Sequence, residues 1–162
     1  MKYEVIDNFL PQDDFNRLSD MVHQKVPFYF QKEINTEHIE DKQFYMTHML
    51  FNIEHEPMYS TFFWDYKIIL NRLNIKSLMR MKINLYPKTE KLENHQPHWD
   101  YKYEHKGCLF SLNTCDGATI LEDGTKIESV ANRALLFDPS KLHSSTSCTN
   151  DKVRLNININ YF

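Results

Sequence analysis

Residues 153–161 alternate without a break: Val153, Leu155, Ile157 and Ile159 are apolar, and Arg154, Asn156, Asn158 and Asn160 between them are polar. Side chains two apart on a strand share a face. The pattern therefore predicts a strand with one apolar face and one face carrying a guanidinium and three amides. The same period governs residues 79–86, where Met79, Met81, Ile83 and Leu85 alternate with Arg80, Lys82, Asn84 and Tyr86. The plain account of such strands is an antiparallel sheet with its polar face in water. The sharper one turns that face into the mouth of a roll, where Arg154 can grip a carboxylate through two parallel hydrogen bonds.

The rest of the chain supplies short strands and two helical patterns. A strand is expected at residues 3–6. Pro11 then suits a first helical turn, with Asp13 and Asp14 favourable at its positive end. Phe15, Leu18, Met21 and Val22 form one apolar stripe at helical spacing. Further strands are expected at 26–30 and 44–51, with a polar loop at 31–43 between them that is either a surface excursion or a substrate lid. Phe62, Phe63, Tyr66, Ile69, Leu70 and Leu73 predict a helix over 59–73. Beyond it strands are expected at 107–114 and 134–137, with Asp123-Gly124 as a hairpin turn between 118–121 and 125–130. Two helices buttressing many short antiparallel strands predict an α+β chain built on a jelly roll, a double-stranded β-helix. The 162 residues suffice for one domain. Within it, 1–77 would provide helical support and outer strands, and 78–162 the metal-binding core.

Chemistry concentrates at His98-Trp99-Asp100. Read as a strand, His98 and Asp100 project into one space, and His143 follows forty-five positions later, after an Asp138-Pro139 turn. Two imidazoles and one carboxylate, with positions left open, suit non-haem Fe(II) oxygen chemistry. His95 and His105 compete for the ligand roles, but neither has a carboxylate two residues on. By strand parity Trp99 and Tyr101 point away, as packing or rim residues.

This order of H-x-D, a distant His and an Arg about one strand later resembles the Fe(II)/2-oxoglutarate-dependent dioxygenases, in particular their prolyl 4-hydroxylase branch. The likeness covers roughly 78–162 and includes Asn84-Leu85-Tyr86-Pro87 and Leu112-Asn113. It implies His98, Asp100 and His143 as iron ligands and Arg154 as the clamp for the distal carboxylate of 2-oxoglutarate. Tyr86, Asn84 and Asn156 become co-substrate contacts; the N-x-Y spacing of Asn84 and Tyr86 and the run Arg154-Leu155-Asn156 also resemble the nucleic-acid demethylase branch. The implied activity is hydroxylation of an unactivated C–H bond with Fe(II), 2-oxoglutarate and O2. Ser111 departs from the pattern, since some prolyl hydroxylases carry a tyrosine there; Thr119 is the candidate to assist instead. The substrate implied first is a prolyl residue of a peptide or protein, then a free amino acid or other metabolite. A cupin-like metal isomerase, which would not need Arg154, and a non-catalytic module with the same roll and a degenerate site, against which the complete ligand set argues, stay open.

The net charge of −3 provides no basic field for nucleic acid. No eighteen-residue apolar run marks a membrane span, and Lys2, Glu4 and Asp7 interrupt any signal-like start, so a cytoplasmic location is expected. Cys108, Cys115 and Cys148 are odd in number and show no C-x-x-C pair, which predicts reduced thiols rather than disulfides.

Overall fold

The computed structural model describes residues 2–32 and 44–162. In chain order the elements begin with β1 (Glu4–Ile6), α1 (Gln12–Gln24), β2 (Tyr29–Gln31), β3 (Tyr45–Asn52), α2 (Lys67–Arg72) and β4 (Leu78–Pro87). They continue with β5 (Lys106–Ser111), β6 (Ala118–Leu121), β7 (Lys126–Glu128), β8 (Ala134–Phe137), β9 (His143–Ser145) and β10 (Val153–Tyr161). Seven strands make one sheet in the order β1-β8-β5-β10-β4-β3-β2, and a three-stranded sheet runs β7-β6-β9. All the paired strands are antiparallel. This is the expected α+β jelly roll.

The period-two pattern decides which face goes where. On the outer face of the large sheet Met81, Ile83, Ile157 and Ile159 are fully buried and join Phe110, with Phe15, Leu18 and Val22 of α1 and Ile69 of α2, in one cluster. Each such side chain contributes about 1.5–3 kcal/mol on burial, so this layer holds the helices to the sheet. The opposite face of β10 is also buried: Arg154, Asn156 and Asn160 are almost wholly inaccessible. Hydrogen bonds from Arg154 to Thr119 of β6 and to the carbonyl of Thr146 show that this polar face looks onto the small sheet. The roll therefore has an apolar exterior under helices and a polar interior.

Three local expectations need correction. The helix predicted over 59–73 is shorter: Tyr59 bridges to Phe51, and a 3₁₀ turn at Phe63–Tyr66 leads into α2. The reason lies in Ser60, whose N–H donates to Leu50 O and whose hydroxyl meets His48 and the N–H of Phe62. Its backbone is tied to β3 and cannot enter a helix. The strand placed at 26–30 begins only at Tyr29, because Val26 still donates to Met21 at the end of α1 and the Pro27 carbonyl meets the His48 ring. His98 and Asp100 do not lie on a regular strand, as described below. The 31–43 loop falls mostly outside the described residues, apart from Gln31 in β2 and Lys32.

The predicted turn at Asp123-Gly124 closes β6 and β7, with Gly124 at φ +83°, a left-handed conformation that glycine adopts without steric cost. All three cysteines are free and buried. Among the described residues no helix is long and apolar enough to cross a membrane.

Candidate active site

His98, Asp100 and His143 converge, each offering a ligand atom within 4.8 Å of the others. The device that joins them is a reciprocal backbone bridge: His98 N–H donates to His143 O at 2.8 Å, and His143 N–H donates back at 2.9 Å. Asp100 N–H donates to Pro139 O at 2.9 Å, which fixes the carboxylate end of the motif to the turn before β9. Pro97 has no N–H, so the ladder is interrupted between the bond from His95 N–H to Ser145 O, at 2.9 Å, and the His98–His143 bridge.

Both imidazoles turn the same nitrogen inward. His143 Nδ1–H donates to Lys141 O at 2.9 Å, and His98 Nδ1 faces Gln96 O at 3.4 Å, leaving each Nε2 as the lone-pair donor. A backbone carbonyl behind the ring is how metal-binding histidines are held in the needed tautomer. Burial, reinforced by the neighbouring His143, pushes His98 down to about 4, so its ring is neutral at neutral pH. Burial alone would raise the Asp100 carboxyl, but Arg80, His143 and Lys82 overcome it and hold the group well below the usual carboxylate range. Two imidazoles and an ionised carboxylate oxygen fit Fe(II).

Asp100 has its own support. Its Oδ2 accepts from Asn158 Nδ2 at 3.1 Å, Asn158 Oδ1 accepts from Asn160 Nδ2 at 2.8 Å, and Asn160 Oδ1 meets His105 Nε2 at 2.8 Å. The alternating amides of β10 thus form a buried chain ending on the carboxylate. His105, weighed as a rival ligand, terminates this chain with its other nitrogen on Tyr103 O. The other rival, His95, is pinned by Ser145 Oγ at 2.6 Å and stacks near Tyr86.

Arg154 lines the same narrow cavity as His98 and His143, together with Tyr86, Asn84, Asn156, Asn158 and Thr119. Only 1 % of it is accessible. Its guanidinium donates to Ser129 Oγ at 2.7 Å, Thr146 O at 3.2 Å and Thr119 Oγ1 at 3.0 Å. These partners are all neutral, so the charge has no counter-ion among the described residues. Gly117 makes room for the side chain: a Cβ there would lie 2.6 Å from Arg154 Cδ and 2.6 Å from Ser147 O. The Tyr86 ring lies 5.5 Å from the guanidinium carbon and stacks on Tyr45. Asn84 Nδ2 donates to Asn156 Oδ1 at 3.0 Å, leaving Asn84 Oδ1 buried without a donor. Ser111 is buried opposite Asn156, but the hydroxyls that meet Arg154 are those of Ser129 and Thr119.

Sequence reasoning overlooked Arg80. Its Nη2 lies 2.8 Å from Asp100 Oδ1, and its guanidinium stacks 5.1 Å from the ring centre of Tyr101. Tyr101 is therefore a rim residue that carries a cation next to the motif, whereas Trp99 carries Lys102 on its face. The signal was present: strand parity puts Arg80 and Lys82 on the face of Asn84 and Tyr86.

No family model and no curated protein matches the chain. Solved structures do. A Pseudomonas putida prolyl-4-hydroxylase superposes with a TM-score of 0.65 at 12% identity, over 98% of this chain and 91% of that one. A prolyl hydroxylase from Trichoplax adhaerens, solved with a hypoxia inducible factor oxygen degradation domain peptide, gives 0.66 at 16% identity over 99% and 83%. The non-haem α-ketoglutarate-dependent epimerase of nogalamycin biosynthesis gives 0.70 at 11% identity over 99% and 77%. This chain shares their fold. At these identities the likeness carries the architecture, and the chemistry is argued from the residues themselves.

Proposed function

We propose that the protein is a non-haem Fe(II)- and 2-oxoglutarate-dependent dioxygenase that hydroxylates an unactivated C–H bond. The observation that carries this reading is the fully buried Arg154, whose partners are all neutral, lining one cavity with the His98 and His143 rings. An isolated buried cation costs several kcal/mol unless an anion meets it. A dicarboxylate satisfies both ends of the cavity, one carboxylate on Arg154 and the 2-oxo acid end toward the triad. A metal isomerase or an inert roll has no use for that guanidinium.

His98 and His143 would hold the metal through Nε2 and Asp100 through a carboxylate oxygen. Bound iron supplies activation of dioxygen: one oxygen atom enters succinate as 2-oxoglutarate loses CO2, and the other enters the substrate C–H bond. The chain's own residues do the positioning. Arg154, held by Ser129, Thr146 and Thr119, fixes the distal carboxylate. Asn84 and Asn156 line the path between, and the buried Tyr86 phenol, pushed up by burial, stays a neutral neighbour of Arg154.

The likeness to prolyl hydroxylases makes a prolyl peptide or free amino acid the first substrate class, and the epimerase neighbour shows the same fold serving another outcome. The net charge of −3 ranks nucleic-acid demethylation behind them. Three free thiols suit a reducing, cytoplasm-like compartment. The deciding experiment loads purified protein with Fe(II) anaerobically, adds 2-oxoglutarate and air, and follows succinate. Succinate formation that disappears in Arg154→Ala at low 2-oxoglutarate supports the reading. Retained metal without any 2-oxoglutarate binding or turnover rejects it.

A further inference from the structure

A second cationic pole lies on the same ladder. Along the inner faces of β4 and β10 the register sets Arg154 opposite Tyr86, Asn156 opposite Asn84, Asn158 opposite Lys82 and Asn160 opposite Arg80. Strand rise separates the backbone positions of Tyr86 and Arg80 by roughly 20 Å. A five-carbon dicarboxylate with its distal carboxylate on Arg154 turns only its 2-oxo acid end toward the triad, where Arg80 Nη2 lies 2.8 Å from Asp100 Oδ1. With the co-substrate bound, its two negative charges and that of Asp100 cancel the iron and Arg154, leaving Arg80 and Lys82 in excess.

The donors at this pole are specific. Arg80 Nε and Nη2 are buried and have no hydrogen-bond acceptor. Nη2 approaches Asp100 Oδ1 at 2.8 Å as an ion pair without hydrogen-bond geometry. Nε and Nη2 form one edge of the guanidinium, and the same edge of Arg133 grips the two oxygens of Asp7 at 2.6 and 3.0 Å. A buried donor pair left unmade costs free energy, and a carboxylate matches its spacing. Lys82 stands beside it over the Tyr45 ring at 5.6 Å, with no ion pair among the described residues.

We infer that the molecule being oxidised is a small carboxylic acid, whose carboxylate docks on Arg80 and Lys82 and so presents a neighbouring C–H bond to the triad. This rests on the dioxygenase reading above. A compact anion is favoured over the side chain of an acidic protein because the Arg80 edge is buried and the docking point adjoins Asp100, so anchor and reacting carbon must lie within a few bonds.

The test uses enzyme loaded with Fe(II) and 2-oxoglutarate and a panel of free L-amino acids, each paired with its α-carboxamide. Succinate release is measured with and without each compound. At least one acid is expected to stimulate release roughly tenfold or more above its amide, the usual penalty for unmaking a charged hydrogen bond. In Arg80→Gln that acid-to-amide ratio should fall towards one, and Arg80→Lys should restore part of it. Because the ratio is internal to each variant, a general loss of iron or stability does not mimic the result. The inference is overturned if no acid stimulates, if acids and amides act equally, or if acidic peptides act in place of free acids. It is equally overturned if Arg80→Gln keeps the ratio and only raises the 2-oxoglutarate requirement, which would assign Arg80 to the co-substrate. Absence of any binding of metal or 2-oxoglutarate would instead defeat the parent reading.

Discussion

The Asn158 side-chain amide donates to Oδ2 of Asp100 at 3.1 Å and so occupies the carboxylate oxygen other than the one nearest His98. The contact orients Asp100 so that Oδ1, which Arg80 also approaches at 2.8 Å, lies on the His98 side. Groups that orient a metal ligand typically account for ~10–100-fold in affinity. Asn158→Ala is therefore expected to weaken binding of Mn(II), an oxygen-stable stand-in for Fe(II), by that factor. Equilibrium dialysis measures it directly, and unchanged affinity would show that Asp100 needs no such support.

Much of this could be read from alternation. The faces of β4 and β10, and with them the inward aim of Arg154, Asn156, Asn84 and Tyr86, follow from residue parity because a strand has only two sides. Convergence of His98 and His143 followed less directly, since a reciprocal bridge between an irregular segment and β9 has no periodic signature. Partnerships made across the roll were not legible, apart from Thr119, which the family likeness offered as the candidate to assist in place of a tyrosine at Ser111. Gly117 makes room for Arg154, and Ser129 and Thr119 bind it from 25 and 35 positions away in sequence. Ser60 likewise shortened a helix by hydrogen-bonding into β3, a tertiary contact that overrides a well-formed apolar stripe.

Arg154→Ala should spare the metal and strike the co-substrate. Truncating one partner of a buried charge pair costs about 2–5 kcal/mol, or ~30-fold and upward in half-saturating 2-oxoglutarate. Mn(II) affinity should stay within ~3-fold, because the triad is held by separate backbone contacts. If metal and co-substrate affinity fell together, the two halves of the site would be one cooperative unit and the division of roles would be wrong.

His98→Ala should show the reverse preference. It removes one of three ligands while leaving Arg154 and its three neutral partners in place. Metal binding is expected to be lost in calorimetry up to millimolar Mn(II). Thermal stability of the metal-free protein should change little or rise, because His98 is a desolvated ring beside His143 and contributes no strong hydrogen bond of its own.

Gly117→Ala reaches the same co-substrate pole without touching a charged group. The added Cβ would sit 2.6 Å from Arg154 Cδ and from a backbone oxygen, and backbone cannot yield as a side-chain tip can. The guanidinium should be displaced from Thr119 and Ser129. Half-saturating 2-oxoglutarate is expected to rise ~10-fold or more, since misplacement by about 1 Å can cost 10²-fold in a preorganised site. Unchanged kinetics would mean that Arg154 has slack that the packing does not suggest.

The last prediction concerns pH. Burial, with the charges of Arg154 and His98 nearby, pushes His95 from 6.5 down to about 3. Its ring stays neutral in the fold while the unfolded chain takes up a proton below about pH 6.5. Unfolding therefore binds protons in this window, and stability must fall as pH drops from 6.5 towards 3. His98, also lowered, acts with the same sign. Each pH unit across the window can cost up to about 1.4 kcal/mol per group, which corresponds to roughly 3–5 °C in Tm for a chain of this size. The metal-free protein should lose Tm steadily between pH 6.5 and 5, before carboxylates begin to titrate. His95→Gln keeps a polar partner for Ser145 but cannot titrate, so its Tm should fall by several degrees less over the same interval. Parallel curves for the two proteins would mean that His95 takes up its proton inside the fold, and that the cavity beside Tyr86 is wetter than its burial implies.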